Sequence, residues 1–209
     1  PNGDLIGFGK ILELGDINGD GMPEVVAGID PMLDENDSYP QRLYVFDGTG
    51  LPAADPDAAR CTPWTTPALG VPCKNGERGV ENCENTGFGS SVAMGDFDAN
   101  GHVDLLIGAP LTEVQGRAEA GVLWVVPGSD SSENLGLDFA NMTNLYASGQ
   151  VAGARLGTSV AVTTTDGRDE PAGGAPGADS VYVFLCTPLE DPERDMLDSR
   201  CLPPGSDDS

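Results

Sequence analysis

Residues 87–110 read GFGSSVAMGDFDANGHVDLLIGAP, and residues 7–30 read GFGKILELGDINGDGMPEVVAGID. The two stretches align without a gap at a constant offset of 80 residues (87 − 7). A segment that recurs in this way predicts a repeated structural unit, and therefore a repeat architecture.

Each copy contains an acidic loop with oxygen-bearing side chains at loop positions 1, 3, 5 and 9 and glycine at position 6. Alternate side chains of such a loop can point inward around a hard cation, and the glycine permits a sharp turn. We therefore expect two Ca²⁺ sites, each with four side-chain ligands and the backbone carbonyl of position 7. The expected ligands are Asp16, Asn18, Asp20, Met22 and Glu24 in site 1, and Asp96, Asp98, Asn100, His102 and Asp104 in site 2.

The residues that follow each loop argue against an EF-hand, which needs a bidentate glutamate at position 12 and flanking helices. Position 12 is Ala27 in the first copy and Ile107 in the second, and neither side chain can bind a cation. Residues 24–29 and 104–109 are short apolar runs bounded by glycine, which is typical of buried strands. Each loop is therefore predicted to join two strands of a β-hairpin.

Phe-Gly, an Asp-x-[Asp/Asn]-x-[Asp/Asn]-Gly-x-x-[Asp/Glu] loop and a closing Gly-Ala-Pro together resemble the FG-GAP repeat of integrin α-subunit β-propellers. The second copy carries Phe88-Gly89 and Gly108-Ala109-Pro110, whereas the first has Phe8-Gly9 but ends on Ala27-Gly28-Ile29. The resemblance implies an all-β fold made of propeller blades. Each blade would have four antiparallel strands, with Ca²⁺ in the loop between the first two. The resemblance to the FG-GAP repeat covers most of the chain apart from about 51–86 and the tail after about 187.

A third, degenerate copy begins at Leu156-Gly157 and closes with Gly-Gly-Ala-Pro at 173–176. Thr163–Thr165 replace the start of the ligand pattern, and the loop is shorter than in the other copies. We therefore expect no Ca²⁺ in this copy, and we expect Asp166, Asp169 and Glu170 to be solvated loop acids.

Further strands continue each repeat, because residues 42–46, 121–126 and 180–184 alternate in hydrophobicity. Residues 144–148 are the candidate fourth strand of the second blade. The chain is accordingly predicted to be one FG-GAP propeller region of about three blades, with a cysteine-rich insert in blade 1. The predicted boundaries are 1–209 for the region, about 7–86 for blade 1 with the insert at 51–86, about 87–154 for blade 2 and about 155–209 for blade 3.

Three blades do not comfortably close a ring, since propellers typically have four to eight. Either the chain is part of a larger propeller, or two copies combine, or the insert or tail supplies more strands. Because the chain begins with Pro1 rather than Met, we expect it to derive from a longer precursor.

Predicted contacts between blades centre on Phe8 and Phe88, with Gly9 and Gly89 allowing the backbones to approach closely. Tyr44 and Trp124 occupy matching places and are expected to pack in the core. An outer blade lacks a neighbour on one side, and the exposed apolar residues would then mark an interface. We expect this exposure near Val25, Val26, Val181 and Val183.

The composition is strongly acidic, with 34 Asp and Glu against 10 Lys and Arg and a formal net charge of −24. Phosphate backbones would be repelled, so nucleic-acid binding is not expected. The longest apolar runs are far shorter than a membrane span.

Five cysteines, at 61, 73, 83, 186 and 201, lie in the insert and the tail. Their long spacing without accompanying histidines disfavours a metal site and favours disulfides in an extracellular compartment. We expect Cys186 to pair with Cys201, and we favour Cys61–Cys73 over Cys73–Cys83 or Cys61–Cys83. Because the number is odd, at least one thiol is free, paired between chains or paired with a segment outside this sequence.

Nothing in the sequence indicates catalysis: it has no nucleophile elbow and no His-Glu-x-x-His, and its one histidine, His102, falls at loop position 7. We therefore expect a non-enzymatic protein. The resemblance implies a calcium-stabilised extracellular binding or adhesion module that contacts a protein partner or a second copy through an outer blade. The alternatives are a structural subunit of an extracellular assembly, a lectin-like carbohydrate-binding propeller, and a non-catalytic domain of a secreted hydrolase such as glycosylphosphatidylinositol-specific phospholipase D.

Overall fold

A computed structural model describes residues 8–29, 43–48, 61–62, 86–130, 133–138, 141–147, 150–165, 167–187 and 200–202. These residues form thirteen strands and short 3₁₀ turns, and no α-helix occurs among them. The strands are β1 Phe8–Gly15, β2 Glu24–Ile29, β3 Leu43–Phe46, β4 Cys61–Thr62, β5 Ser91–Gly95, β6 Asp104–Ala109, β7 Val122–Val126, β8 Thr143–Leu145, β9 Ser159–Thr165, β10 Arg168–Ala175, β11 Ser180–Val183, β12 Leu185–Thr187 and β13 Arg200–Leu202.

The strands are arranged in three antiparallel meanders and one separate pair. Sheet 1 has the order β1-β2-β3-β4, sheet 2 has β5-β6-β7-β8, and sheet 3 has β9-β10-β11, while β12 pairs with β13. The predicted all-β class with blade-like antiparallel sheets is confirmed. The fourth strand of sheet 1 lies inside the segment that the sequence marked as an insert, because β4 pairs with β3 through Cys61 and Phe46.

The register of the sheets repeats at the offset found in the sequence. Leu12 lies opposite Ala27 in sheet 1, and Val92 lies opposite Ile107 in sheet 2, 80 residues later. The first strands also lie side by side, since β5 contacts both β1 and β9. Sheet 2 is therefore the middle blade, with sheet 1 on one side and sheet 3 on the other.

The first core fills the space between sheets 1 and 2. Ile11, Val26, Leu43 and Val45 come from sheet 1, and Val92, Leu105, Ile107 and Trp124 come from sheet 2. Phe88 lies in this core with 1% of its surface exposed, which confirms its predicted place between blades, and Trp124 is buried there as predicted. The matching prediction for the side chain of Phe8 lies outside the described residues.

The second core lies between sheets 2 and 3, and it uses the opposite face of the same strands. Leu106, Leu123 and Val125 of sheet 2 pack with Leu156 and Phe184. Successive side chains of a strand point to opposite faces, so a middle strand with a core on each side buries side chains on both, and here every position except Asp104 at the start of β6 is apolar or glycine. This explains the continuous burial of β6 and β7.

The outer blades present one uncovered face each. Leu12 and Leu14 of sheet 1 are 56% and 64% exposed, and Val181 of sheet 3 is 74% exposed. The prediction for Val181 is confirmed, and Val25 is half-buried. The prediction for Val26 is wrong, because the register turns this residue inward to the first core, where it is fully buried.

Glycine pairs bring neighbouring blades into backbone contact. A Cβ atom at Gly108 would lie 2.1 Å from the carbonyl oxygen of Gly157, and one at Gly28 would lie 3.1 Å from that of Gly89. The Phe-Gly or Leu-Gly glycine of one blade therefore meets the closing glycine of the preceding blade. A Cβ at Gly9, in the first blade, would meet no heavy atom within 4 Å.

Candidate metal centre

The two acidic loops connect the first and second strands of sheets 1 and 2, as the sequence predicted. Positive φ is needed at loop positions 4 and 6, where the chain has Gly19 and Gly21 in loop 1 and Ala99 and Gly101 in loop 2. Ala99 accepts this left-handed conformation at φ 60°, which costs about 1–2 kcal/mol for a residue with a Cβ.

Loop 1 curls around its own side chains. Asp16 Oδ2 accepts a hydrogen bond from Gly21 N at 2.9 Å, and Asn18 Oδ1 accepts one from Asp20 N at 2.9 Å. Asp20 Oδ1 in turn accepts one from Met22 N at 2.8 Å. These bonds orient the oxygens at positions 1, 3 and 5 and leave further lone pairs on each.

Loop 2 repeats this network at the corresponding positions. Asp96 Oδ2 accepts from Gly101 N at 2.9 Å, Asp98 Oδ1 from Asn100 N at 3.0 Å, and Asn100 Oδ1 from His102 N at 2.7 Å. Two loops with different sequences thus adopt one geometry, because the residue types at positions 1, 3, 5 and 6 are the same or equivalent.

The carboxylate at position 9 is buried and bonded to two parts of its blade. Glu24 Oε2 accepts from Ile17 N at 2.8 Å, and its Oε1 accepts from Gly48 N at 3.3 Å. Asp104 Oδ2 accepts from Phe97 N and Oδ1 from Gly128 N, both at 2.7 Å. We call this arrangement the carboxylate clamp, because it ties the loop to the end of the third strand of the same blade.

Acidic side chains converge in both loops. Oxygen atoms of Asp96, Asp98 and Asp104 lie within 4.8 Å of one another, as do those of Asp20, Glu24 and Asp47. Sequence reasoning missed Asp47, which follows β3 and is remote from loop 1 in the chain. Its counterpart 80 residues later is Pro127, so the repeat gives no signal for it.

Electrostatic crowding is pronounced in loop 2. The pKa of Asp104 is raised to about 7, chiefly by burial; the negative charges of Asp98 and Asp96 add to the rise, and the hydrogen bonds from the Gly128 and Phe97 backbone act against it. Burial is also the main cause that raises the pKa of Asp98, with Asp96 adding to it. A cation among these oxygens would favour their ionised forms.

The donor set fits a Ca²⁺ ion. Asp16 Oδ1 is buried and has no hydrogen-bond partner, which is costly unless something else binds it. The side-chain donors of both loops are oxygens, the ligands that Ca²⁺ prefers. Met22 and His102 do not add side-chain ligands: Met22 is exposed, and His102 Nε2 lies 3.2 Å from Asp130 Oδ1.

The expectation that the acids of the third loop are solvated is wrong for Glu170, whereas Asp169 is half-buried. Glu170 is buried and accepts a hydrogen bond from Cys186 N, which is the part of the carboxylate clamp that reaches the segment after the third strand. Asp169 Oδ2 accepts from Asp96 N at 3.1 Å, so blade 3 holds the first residue of loop 2. Burial raises the pKa of Glu170, and the Cys186 N–H acts against this.

Comparison with known proteins agrees with this architecture. Residues 88–126 match the FG-GAP repeat family. Integrin alpha-PS5 of Drosophila melanogaster is 28% identical over 199 residues, which cover 90% of this chain. The chain spans 16% of the length of that relative. None of the described helical segments has the length and apolar character to cross a membrane. Residues 88–126 therefore resemble an FG-GAP repeat, in a chain that is similar to an integrin α-subunit over most of its length.

Proposed function

We propose that the chain is a calcium-stabilised extracellular protein-binding module of the integrin-α type. The observation that carries the proposal is the pair of matching loops whose acidic oxygens converge in a chain similar to an integrin α-subunit. The extracellular location rests on that similarity and on the use of cysteine. No catalytic role is proposed.

Each proposed Ca²⁺ site has the five ligands expected from the sequence, which comprise four side chains and the carbonyl of Met22 or His102. Asp47 is added to site 1, because its carboxylate reaches the oxygens of Asp20 and Glu24. Bound Ca²⁺ would offset the repulsion among carboxylates at the point where the loop meets the third strand. Its role is therefore structural.

The proposed interaction surface is the outer face of sheet 1. Three residues of this face, Leu12, Leu14 and Val25, correspond in the repeat to Val92, Met94 and Leu105 of sheet 2. In sheet 2 these residues pack against the neighbouring blade, sheet 1. The exposed face therefore has the pattern of a blade contact without its neighbour. We propose that a second copy supplies this neighbour through the outer face of sheet 3, where Val181 is exposed.

We predict that the calcium-loaded protein self-associates as its concentration rises, and that the double variant Leu12→Ser/Leu14→Ser shifts it towards monomer. Burial of two leucines in the interface removes apolar surface from water and so favours association. Serine at these positions has little apolar surface to bury, so the free energy of association becomes less favourable. Size-exclusion chromatography with light scattering measures the mass. Val151→Ser, at an exposed loop position, is the matched control and should behave like the parent protein. A protein that stays monomeric at all concentrations contradicts this mode of association.

We also propose the disulfide Cys186–Cys201. Its support is the register of β12 and β13, which places Cys186 directly opposite Cys201. Directly opposite residues of an antiparallel pair have the Cα separation that a disulfide requires.

Peptide mapping of the unreduced protein by mass spectrometry should find residues 186 and 201 cross-linked, and reduction should lower stability by on the order of 3 kcal/mol in the loop-entropy model. Two free thiols at these positions would contradict the pairing. Cys73 and Cys83 lie outside the described residues, so the preference for Cys61–Cys73 stays a prediction, and the same experiment tests it.

A further inference from the structure

The contact between blades 2 and 3 places a carboxylate of blade 3 at the start of loop 2. Asp169 lies in β10, and its Oδ2 accepts a hydrogen bond from Asp96 N at 3.1 Å. Its Oδ1 accepts a second bond, also at 3.1 Å, from the hydroxyl of Thr164, the residue directly opposite in β9. The carboxylate is therefore held between its own hairpin and the acidic loop of the neighbouring blade.

Packing between the first strands explains why a carboxylate fits at this place. A Cβ atom at Gly95 would lie 3.1 Å from Asp169 Oδ2 and 3.1 Å from Val162 Cγ1. At the corresponding place between blades 1 and 2, a Cβ at Gly15 would lie 2.5 Å from the sulfur of Met94. Met94 and Val162 are equivalent, because residues 91–94 read SVAM and residues 159–162 read SVAV. The shorter valine leaves room for the carboxylate beside the loop.

Loop 1 is built differently at its start. Among the described residues, no hydrogen bond reaches Asp16 N, the amide that corresponds to Asp96 N. The residue of blade 2 that corresponds to Asp169 is Val103, which packs against the first core instead. In the described part of the chain, the start of loop 2 is thus held from the neighbouring blade, whereas the start of loop 1 is not.

We propose that Asp169 is a positioning residue for the Ca²⁺ site of loop 2, an inference that rests on the proposed calcium function. Its bond to Asp96 N fixes the peptide group from which the position 1 carboxylate projects. Asp96 then loses less conformational freedom when it binds a cation, so the site is preorganised. Groups that orient the ligands of a metal raise its affinity without touching it. Because such coupling is reciprocal, Ca²⁺ in loop 2 should also strengthen the contact between blades 2 and 3.

The experiment titrates the full chain with calcium chloride in a calorimeter, in two backgrounds that each leave one site. Asp16→Ala leaves site 2, and Asp96→Ala leaves site 1. In the first background, Asp169→Ala is expected to raise the Kd for calcium roughly 10-fold, the low end of the range for a group that orients a metal ligand. In the second background, the same change should leave the Kd of site 1 as it was. A general loss of stability would not separate the two sites in this way.

Three further variants, each in the Asp16→Ala background, separate the hydrogen bond from the charge. Asp169→Asn keeps an acceptor for the Asp96 amide and a group that the Thr164 hydroxyl can bond, so it should retain most of the affinity. Asp179→Asn is the control: it removes the same charge from an exposed position beyond the other end of β10, and should leave the Kd unchanged. Thr164→Val removes the bond that holds Asp169 and should raise the Kd roughly 2- to 3-fold, the low end for one hydrogen bond. Because Thr164 is exposed, this variant also tests the proposal if Asp169→Ala does not fold.

The proposal is overturned if Asp169→Ala leaves the Kd of site 2 unchanged, or raises the Kd of both sites equally. An equal loss in Asp169→Asn would assign the effect to charge and would also overturn the positioning role. Absence of any calcium binding in the Asp16→Ala background refutes calcium in loop 2 itself. Binding that is indifferent to Asp169 refutes this inference alone, so the two failures are distinguishable.

Discussion

Phe88→Ala is expected to lower the free energy of unfolding by about 3–5 kcal/mol, the range for removing a large aromatic ring from a core. Phe88 is almost completely buried between sheets 1 and 2, where it packs within the first core. The alanine would leave a cavity at the contact between two blades, and the backbone contact of Gly28 with Gly89 limits how far the blades can close over it.

Urea unfolding in excess calcium measures this loss, with an unchanged m-value as evidence that the unfolded state is the same. Val181→Ala is the control: Val181 is largely exposed, and its truncation should change stability by less than about 0.5 kcal/mol. A loss below about 1 kcal/mol for Phe88→Ala would show that the blades do not depend on this ring.

Removal of calcium with EDTA is expected to lower the melting temperature. A ligand that binds only the folded state stabilises it by about 2.7 kcal/mol per site at a hundredfold excess over Kd. For a chain of this size, that is roughly 5–10 °C per site. Asp16→Ala and Asp96→Ala should each remove part of the response, because each deletes the position 1 carboxylate of one loop.

Differential scanning calorimetry with and without EDTA checks this expectation. Asp130→Ala is the matched control, since Asp130 is an exposed acid beside His102 and outside both clusters. If the melting curve of the parent protein is insensitive to EDTA, the loops do not hold a stabilising ion.

The calcium response should also depend on pH. In the ion-free protein the pKa of Asp104 is about 7, above its ordinary value of 3.8. Between these values the folded state holds a proton that the unfolded state has lost, so ion-free stability falls as the pH rises from about 4 to 7. Calcium must displace that proton at low pH. The gain in melting temperature from calcium should therefore be larger at pH 7.5 than at pH 5.5.

The sequence predicted the fold because its strongest signals are local. Hairpins with period-two alternation and a fixed offset between copies place β1, β2, β5 and β6 directly, and continuous apolar runs such as 104–109 mark a strand with a core on both sides. Phe88 could be placed between blades because the Phe-Gly motif sits at the start of the first two copies.

What the sequence missed depends on contacts between distant residues. Asp47 approaches loop 1 only because β3 pairs beside β2, and Glu170 is buried only because it reaches Cys186 across blade 3. The orientation of Val26 required the register of sheet 1. The bond from Asp96 N to Asp169 forms only where blade 3 packs against blade 2. The full ligand sets of the two loops remain predictions.

The carboxylate clamp has a consequence for local opening of the structure. In every blade it holds one backbone amide that follows the third strand, namely Gly48, Gly128 or Cys186. Such an amide exchanges its hydrogen with solvent only when its hydrogen bond to the carboxylate breaks. The rate of exchange therefore reports the free energy of that local opening. In blades 1 and 2 the carboxylate also belongs to an acidic cluster, whereas among the described residues of blade 3 Glu170 belongs to none. The rate of hydrogen exchange at Gly48 and Gly128 should thus fall when calcium is bound. The rate at Cys186 should not change with calcium, and it serves as an internal reference in the same molecule.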